Sequence, residues 1–223
     1  MPWWFFQSRI LGKKKPLQTV LFITDYCNLR CKHCTPSGHL CSHTKSYEQI
    51  KEELIYSYQQ GSRFVDFEGG EPTLWKEGDK TLNDLYKLAK EIGFFSCTLT
   101  TNGQRPFGDT LANSVWVSVD GYQEYHDKVR GEGTFAKLDK HIRESGHPAL
   151  SIAMAVNKLN RPSLRDTVNY AKENPAIKSI ALNIHTPFPG TEELTLSLEE
   201  RHELIDEIIQ SSKEIKKKKK DEE

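Results

Sequence analysis

Three cysteines near the start of the chain have the residue type and spacing to hold a metal. Cys27, Cys31 and Cys34 form a C-x3-C-x2-C pattern. Thiolates are soft ligands that suit zinc or an iron-sulfur cluster. Structural zinc takes four protein ligands, whereas a cubane cluster bound by three cysteines leaves one iron open to a small molecule. The spacing therefore predicts a metal centre, favours iron-sulfur and leaves zinc open.

The residues that follow could supply a fourth ligand. His39, Cys41 and His43 could complete a zinc site, form a second metal site or contact a substrate, or they could simply form a loop. The five cysteines are an odd number and three fall within eight residues, which is typical of ligands rather than of a disulfide framework. Cys97 lies in a predicted strand, and we expect it to be packed in the core.

A glycine pair and an acid follow the second predicted strand. Gly69 and Gly70 carry no side chains, so the backbone there could approach a ligand closely. Glu71 adds an acceptor beside them, which suits a cationic amino group. A tight turn is the alternative interpretation.

Other polar residues stand at the ends of later strands. Ser118 and Asp120 lie two apart, so they would face the same side and could contact a hydroxylated or charged ligand. Arg130 could bind a carboxylate bidentately. A turn and a surface ion pair are the alternatives. Asn157 fits a turn or cap better than a ligand contact, and His185 is the strongest candidate for a substrate contact.

Short apolar runs alternate with longer amphipathic ones, which predicts repeated βα units and a mainly parallel sheet. The predicted strands are 17–24, 64–68, 95–100, 115–119, 149–156 and 177–182. The carboxyl ends of parallel strands meet at one edge, so the cysteine loop and the later motifs should come together there. Periodicity leaves both an open sheet and an incomplete barrel possible.

Apolar residues at three- and four-residue steps predict helices at 47–60, 81–92, 134–145, 164–173 and 198–212. Ser46 and Gln49 fit a capping box, and Gly61 and Gly93 stand where two helices should end. The connection 102–114 is too polar and too rich in proline and glycine for more than a turn of helix. The charged tail 213–223 is expected to be a solvated, frayed end.

Composition excludes several classes of protein. The 223 residues contain 31 Lys plus Arg and 31 Asp plus Glu, so no net charge favours nucleic-acid binding. Mean hydropathy is −0.64, and no apolar run approaches the roughly 20 residues that span a bilayer. The aromatic start of the chain, in an arm at 1–16, is expected to pack over the barrel rather than to anchor a membrane. These features predict a cytoplasmic protein with reduced thiols.

With these motifs in strand order, the chain resembles the radical S-adenosylmethionine (radical SAM) enzymes over residues 17–212. The C-x3-C-x2-C loop has the aromatic His33 before its last cysteine, and Phe67-Glu68-Gly69-Gly70-Glu71-Pro72 matches the family's G-G-E-P loop. Thr100-Thr101-Asn102-Gly103 and Ser118-Val119-Asp120-Gly121 follow, with His126, Asp127 and Arg130 behind them. The resemblance implies an α/β fold, a (βα)6 partial TIM barrel of the radical SAM type.

The resemblance also implies the cofactors and where they bind. Cys27, Cys31 and Cys34 would hold a [4Fe-4S] cluster whose fourth iron chelates S-adenosyl-L-methionine. Gly69, Gly70 and Glu71 would contact its amino group, Ser118 and Arg130 would lie near its carboxylate, Asp120 would lie near the cofactor, and Thr101 and Asn102 would line the cavity. Reductive cleavage would give methionine and a 5′-deoxyadenosyl radical that abstracts hydrogen from a substrate or adds to it.

The implied partners are an electron donor such as flavodoxin or ferredoxin and a lipid, peptide or small-molecule substrate. Residues 185–190, His-Thr-Pro-Phe-Pro-Gly, and the segment after them look most like hopanoid-type radical enzymes, with peptide-modifying members second. A partner chain could close the barrel. The competing interpretations are a zinc-binding module and an iron-sulfur electron-transfer protein without SAM chemistry.

Overall fold

Six parallel strands form the main sheet, and their order in space repeats their order in the chain. The computed structural model describes residues 2–34 and 43–221. The strands are β1 (Gln18–Thr24), β2 (Phe64–Gly69), β3 (Ser96–Thr101), β4 (Ser114–Ser118), β5 (Leu150–Val156) and β6 (Ile177–Ile184). Within the described ranges no pairing joins β1 to β6, so the sheet is open. All six predicted strands are confirmed, with small shifts at their ends.

Helices connect most of the strands. They are α1 (Tyr47–Gln60), α2 (Leu82–Ile92), α3 (Glu124–Arg130), α4 (Thr134–Glu144), α5 (Leu164–Glu173) and α6 (Leu198–Asp221). The five predicted helices are confirmed, as is the helix-free connection between β3 and β4. Sequence analysis missed α3, which is seven residues long and mostly polar.

The end of α6 corrects the prediction of a frayed tail. The helix does not stop at position 212 but continues to Asp221. Lysine and glutamate have high helix propensity, so a run of them can extend a helix that is already nucleated.

The ends of α1 agree with the sequence signals. Ser46 Oγ accepts from Gln49 N at 3.2 Å, and Gln49 Oε1 accepts from Ser46 N at 2.8 Å, which completes the predicted capping box. Gly61 ends the helix with φ 122°, a conformation that side chains rarely adopt.

The two faces of the sheet differ in polarity. On β2, Val65 and Phe67 are buried in the main core. Asp66 and Glu68 alternate with them and therefore point to the opposite, concave side. Because consecutive right-handed crossovers that advance in one direction put all helices on one face, the other face remains as the interior of an incomplete barrel. The fold is thus α/β with the partial-barrel architecture that the sequence predicted.

The amino-terminal arm does not fit the prediction that it packs over the barrel. It forms a short helix (Pro2–Phe5) that continues as a π-helix (Phe6–Ile10). Trp4 Nε1 donates to Pro16 O at 3.2 Å, so this hydrogen bond lies within the arm itself. Phe5 remains 58% exposed. None of the helices in the described ranges is long and apolar enough to span a bilayer.

Candidate metal and cofactor site

One cavity at the carboxyl ends of the strands brings together most of the predicted residues. Its volume is about 160 Å³. The lining residues are Cys27, Cys31, His33, Cys34, Glu68, Gly69, Gly70, Glu71, Thr100, Thr101, Asn102, Ser118 and Arg130. Asp120 was predicted here but stands behind this lining, where it contacts two of its members. The loops after four parallel strands therefore meet at one point, as the fold requires.

Nitrogen donors contact the sulfur atoms of two of the three predicted ligands, Cys27 and Cys31. Cys27 Sγ accepts from Leu29 N at 3.4 Å and from Asn102 Nδ2 at 3.7 Å. Arg130 Nη1 stands 3.8 Å from Cys31 Sγ. Lys32 N donates to Val129 O at 2.9 Å, which ties the cysteine loop to α3. Donors directed at sulfur favour a thiolate and tune the potential of a bound cluster.

Burial governs the protonation of the thiols in the metal-free chain. It raises the pKa of all three and brings that of Cys31 to about 11, although the Arg130 guanidinium opposes the rise. Metal binding must therefore displace protons from these thiols. Three soft donors on one cavity wall fit an iron-sulfur cluster.

Other possible ligands add little to this set in the described part of the chain. Across residues 2–34 and 43–221, no three His, Cys, Asp or Glu side chains meet closely enough to hold a single ion. His39 and Cys41 lie outside the described residues. His43 is exposed, and its carbonyl accepts from Asp25 N at 2.8 Å. Cys97 is fully buried in the core, as predicted.

The glycine pair packs closely against the backbone of the loop that follows β1. A Cβ added at Gly69 would overlap the backbone of Thr24, and one added at Gly70 would lie 2.5 Å from Asp25 O. Gly70 N donates to Thr24 O at 2.7 Å, and Glu71 N to Tyr26 O at 2.8 Å. The missing side chains therefore let this loop pack against the segment that leads into the cysteines, and both glycines also line the cavity.

Glu71 is an acceptor whose carboxylate is already hydrogen-bonded by neighbouring residues. The residue is 1% exposed. Its Oε1 accepts from Thr73 N at 3.1 Å, from Thr73 Oγ1 at 2.7 Å and from Thr101 Oγ1 at 2.7 Å, and its Oε2 accepts from Asn102 N at 2.7 Å. The two bonds from Thr73 lie within the loop after β2, and the two from Thr101 and Asn102 join that loop to the end of β3, so the carboxylate frames the cavity.

Asn102 extends this frame to the cysteine loop. Its Nδ2 donates to Asn28 Oδ1 at 2.8 Å and faces Cys27, while its Oδ1 accepts from Gln104 N at 2.9 Å. Thr101 Oγ1 accepts from Gly103 N at 3.1 Å. Both residues line the cavity as expected, and their side chains bind other loops.

A buried ion pair lies behind the cysteines. Arg130 Nε donates to Asp120 Oδ2 at 2.6 Å. Asp120 is fully buried, and its Oδ1 accepts from Ala155 N at 2.8 Å. Burial alone would raise the pKa of Asp120, but the guanidinium and this N–H together hold it below the usual value. Arg130 is therefore partly committed to Asp120 and Cys31, and its role near a carboxylate stays a prediction.

The residues of the H-D-x-x-R pattern after β4 hold neighbouring parts of the site in place by hydrogen bonds. His126 Nδ1 accepts from Asp120 N at 3.1 Å, and burial lowers the pKa of His126 to about 3, so the ring is neutral. Asp127 accepts from Gly133 N and Phe135 N, both at 2.8 Å, and thereby holds the start of α4. Arg130 completes the pattern by its bond to Asp120.

Sequence analysis missed acidic and hydroxyl residues on the concave side of β2 and β3. Glu68 and Thr100 line the cavity, and Thr100 Oγ1 donates to Asp66 Oδ1 at 3.2 Å. Burial, with the nearby Glu68 charge, raises the pKa of Asp66 to about 7, and burial also raises that of Glu68. On β2, the alternation of Asp66 and Glu68 with the apolar Val65 and Phe67 could have indicated that these acids face the cavity.

The last two candidates, Asn157 and His185, lie at the ends of β5 and β6. Asn157 Oδ1 accepts from Leu159 N at 2.9 Å, and its N–H donates to Asn160 Oδ1, so it forms the predicted turn. His185 is 5% exposed and directly follows β6. It stands outside the cavity lining, with its ring against that of His33.

Comparison with known proteins gives a family match. Residues 21–171 match the family model described as the Radical SAM superfamily. The GTP 3′,8-cyclase of Actinobacillus succinogenes is 29% identical over 170 residues, covering 70% of this chain and 50% of that protein. The Fe-coproporphyrin III synthase of Methanosarcina barkeri is 26% identical over 228 residues, covering 92% and 53%. The chain thus spans about half the length of these relatives.

A solved structure has the same fold. SuiB of Streptococcus suis, determined bound to S-adenosylmethionine, superposes with a TM-score of 0.69 at 18% identity, covering 88% of this chain and 48% of that one. At this level of identity the likeness concerns the fold alone.

Proposed function

Because this chain belongs to the radical SAM superfamily, whose members use a [4Fe-4S] cluster and S-adenosylmethionine, we propose that its cysteine-lined cavity binds both. The observation that carries the proposal is the meeting of Cys27, Cys31 and Cys34 with residues of β2, β3 and β4 around one cavity. When bound and reduced by an external electron donor, the pair supplies a 5′-deoxyadenosyl radical and methionine.

The chain's own residues would bind and orient the cofactor. The three cysteines would hold the cluster, with Asn102 and Arg130 stabilising the thiolates. Ser118 lines the cavity, and its hydroxyl would contact the carboxylate of the cofactor. Backbone groups at positions 69 and 70, and the remaining lone pair of Glu71 Oε2, are the proposed contacts for an amino group. Asp120 would act through Arg130.

The proposed reaction is hydrogen abstraction from a substrate, or addition to it. The substrate enters from the concave side, which is the open side of the barrel. The proposed class is a lipid, peptide or small molecule, and the proposed electron donor is a flavodoxin or ferredoxin. The protein's task is to exclude water and aim the radical.

An anaerobic reconstitution tests the proposal. The chain is loaded with iron and sulfide, reduced with dithionite and given S-adenosylmethionine, and the product 5′-deoxyadenosine is measured. We expect a brown protein that forms this product. A Cys31→Ala variant should lose it, whereas Cys97→Ala, which removes a thiol from the core, should keep it. A colourless protein with one tightly bound zinc would contradict the proposal, and a brown protein that never forms the product would indicate electron transfer.

A further inference from the structure

Two histidine rings join the loop after the last strand to the loop after the first. His33 and His185 have ring centroids 6.3 Å apart and planes at 87°. His33 belongs to the cysteine loop that follows β1, and His185 follows β6. These strands are the two edges of the sheet and do not pair with each other in the described ranges. The ring contact therefore spans the carboxyl-terminal opening of the barrel.

The His185 ring is held by its own loop. Its backbone N–H donates to Val156 O at 2.9 Å, and its Nε2 lies 3.3 Å from Thr191 Oγ1. That hydroxyl donates to Phe188 O at 3.0 Å and accepts from Phe188 N at 2.9 Å. Since a hydroxyl has one proton, we assign His185 Nε2 as the donor to Thr191. The turn thus fixes the orientation of the ring.

His33 is held on its other side by the buried ion pair. Its Nε2 lies 3.4 Å from Asp120 Oδ2. Its Nδ1 is buried and has no hydrogen-bond partner among the described residues, and the ring forms part of the cavity wall beside Cys31 and Cys34. The position of this wall depends on Asp120 from the β4 end and on His185 from the β6 end.

We propose that His185 is a positioning residue of the cavity, which holds the cysteine loop in place through the ring of His33. Its importance for cofactor binding rests on the proposed function, but the contact itself can be tested on the metal-free chain. Aromatic ring contacts contribute modestly to stability, so the loss should loosen the loop locally and leave the fold intact.

The first experiment measures thiol accessibility in the full, reduced, metal-free chain. Iodoacetamide is added, and the alkylation rate of each cysteine is read by peptide mass spectrometry. His185→Ala should raise the rate at Cys31, which is half-buried, about five- to tenfold. His185→Phe keeps an aromatic ring and should stay within about twofold of the wild type. Cys97 reports global unfolding and should be unchanged. An unchanged rate at Cys31, or equal acceleration at Cys97, would overturn the inference.

The second experiment measures S-adenosylmethionine affinity by equilibrium dialysis on reconstituted protein, with iron content and the electron paramagnetic resonance spectrum recorded in parallel. His185→Ala should bind about five- to tenfold more weakly at unchanged iron content, and His185→Phe should restore binding. Equal affinity in His185→Ala and the wild type would count against the inference. If the wild type itself does not bind, the proposed function fails, and the alkylation rates still decide the role of His185.

Discussion

Replacing Glu71 with glutamine tests whether its carboxylate frames the cavity. Both oxygens accept hydrogen bonds from buried donors, two of them the backbone N–H groups of Thr73 and Asn102. An amide has one oxygen, so one of these N–H groups must face an NH2 group. The threonine hydroxyls can rotate to accept, but a backbone N–H cannot.

The expected magnitude follows from this mismatch. A buried donor without an acceptor costs about 1–3 kcal/mol, and the lost hydrogen bonds to a charged group add to that. We expect Glu71→Gln to lower the free energy of unfolding by about 3 kcal/mol, and Glu71→Ala by at least as much. Glu91, an exposed acid on α2, supplies the matched control, and Glu91→Gln should change stability by less than about 0.5 kcal/mol.

Urea denaturation of the reduced, metal-free chain, followed by circular dichroism, measures these differences. The cysteines do not take part in the Glu71 bonds, so the effect should be present without any cofactor. If Glu71→Gln were as stable as the wild type and Glu91→Gln, the carboxylate would not frame the cavity, and the reasoning would be refuted.

Three further changes have definite expected results. Gly70→Ala places a Cβ against backbone carbonyls after β1 and should lower stability by more than about 2 kcal/mol, seen as a lower melting temperature. The folded-state pKa of Asp66, about 7, exceeds its unfolded value, so wild-type stability should fall as pH rises from about 4 to 7. Asp66→Asn should remove most of that fall, worth about 2 kcal/mol, and parallel pH curves for variant and wild type would refute the assignment. Asp120→Asn leaves the Arg130 charge buried without its partner and should destabilise by about 3 kcal/mol in thermal unfolding, partly restored by Arg130→Gln in the same chain.

The strands and most helices could be predicted because their signals are local. Alternating burial on β3, where Cys97 and Leu99 face the core and Thr98 and Thr100 do not, follows directly from residue type. The capping box at Ser46 is equally local. α3 was missed because its seven residues are mostly polar and show no apolar period, and it is held by contacts with the cysteine loop.

The sequence predicted which residues lie at the site better than it predicted what those residues contact. Glu71 was placed at the cavity, but its four donors come from positions 73, 101 and 102, and that pairing depends on how β2 and β3 align. The close packing of Gly70 against the backbone after β1 was not predicted, because sequence cannot say which backbone lies opposite. The contact between His33 and His185 joins opposite edges of the sheet and has no local signal at all.

The sequential order of the strands also has a consequence for how the chain folds. Each strand pairs with the one that precedes it in the chain, so the sheet can grow in the order of synthesis, one βα unit at a time. β6 is added last, and with it the turn that carries His185. On this route the contact between His185 and the cysteine loop forms only after β6 has docked, so the proposed metal site should reach its final geometry well after β1, the strand that leads into it, has formed.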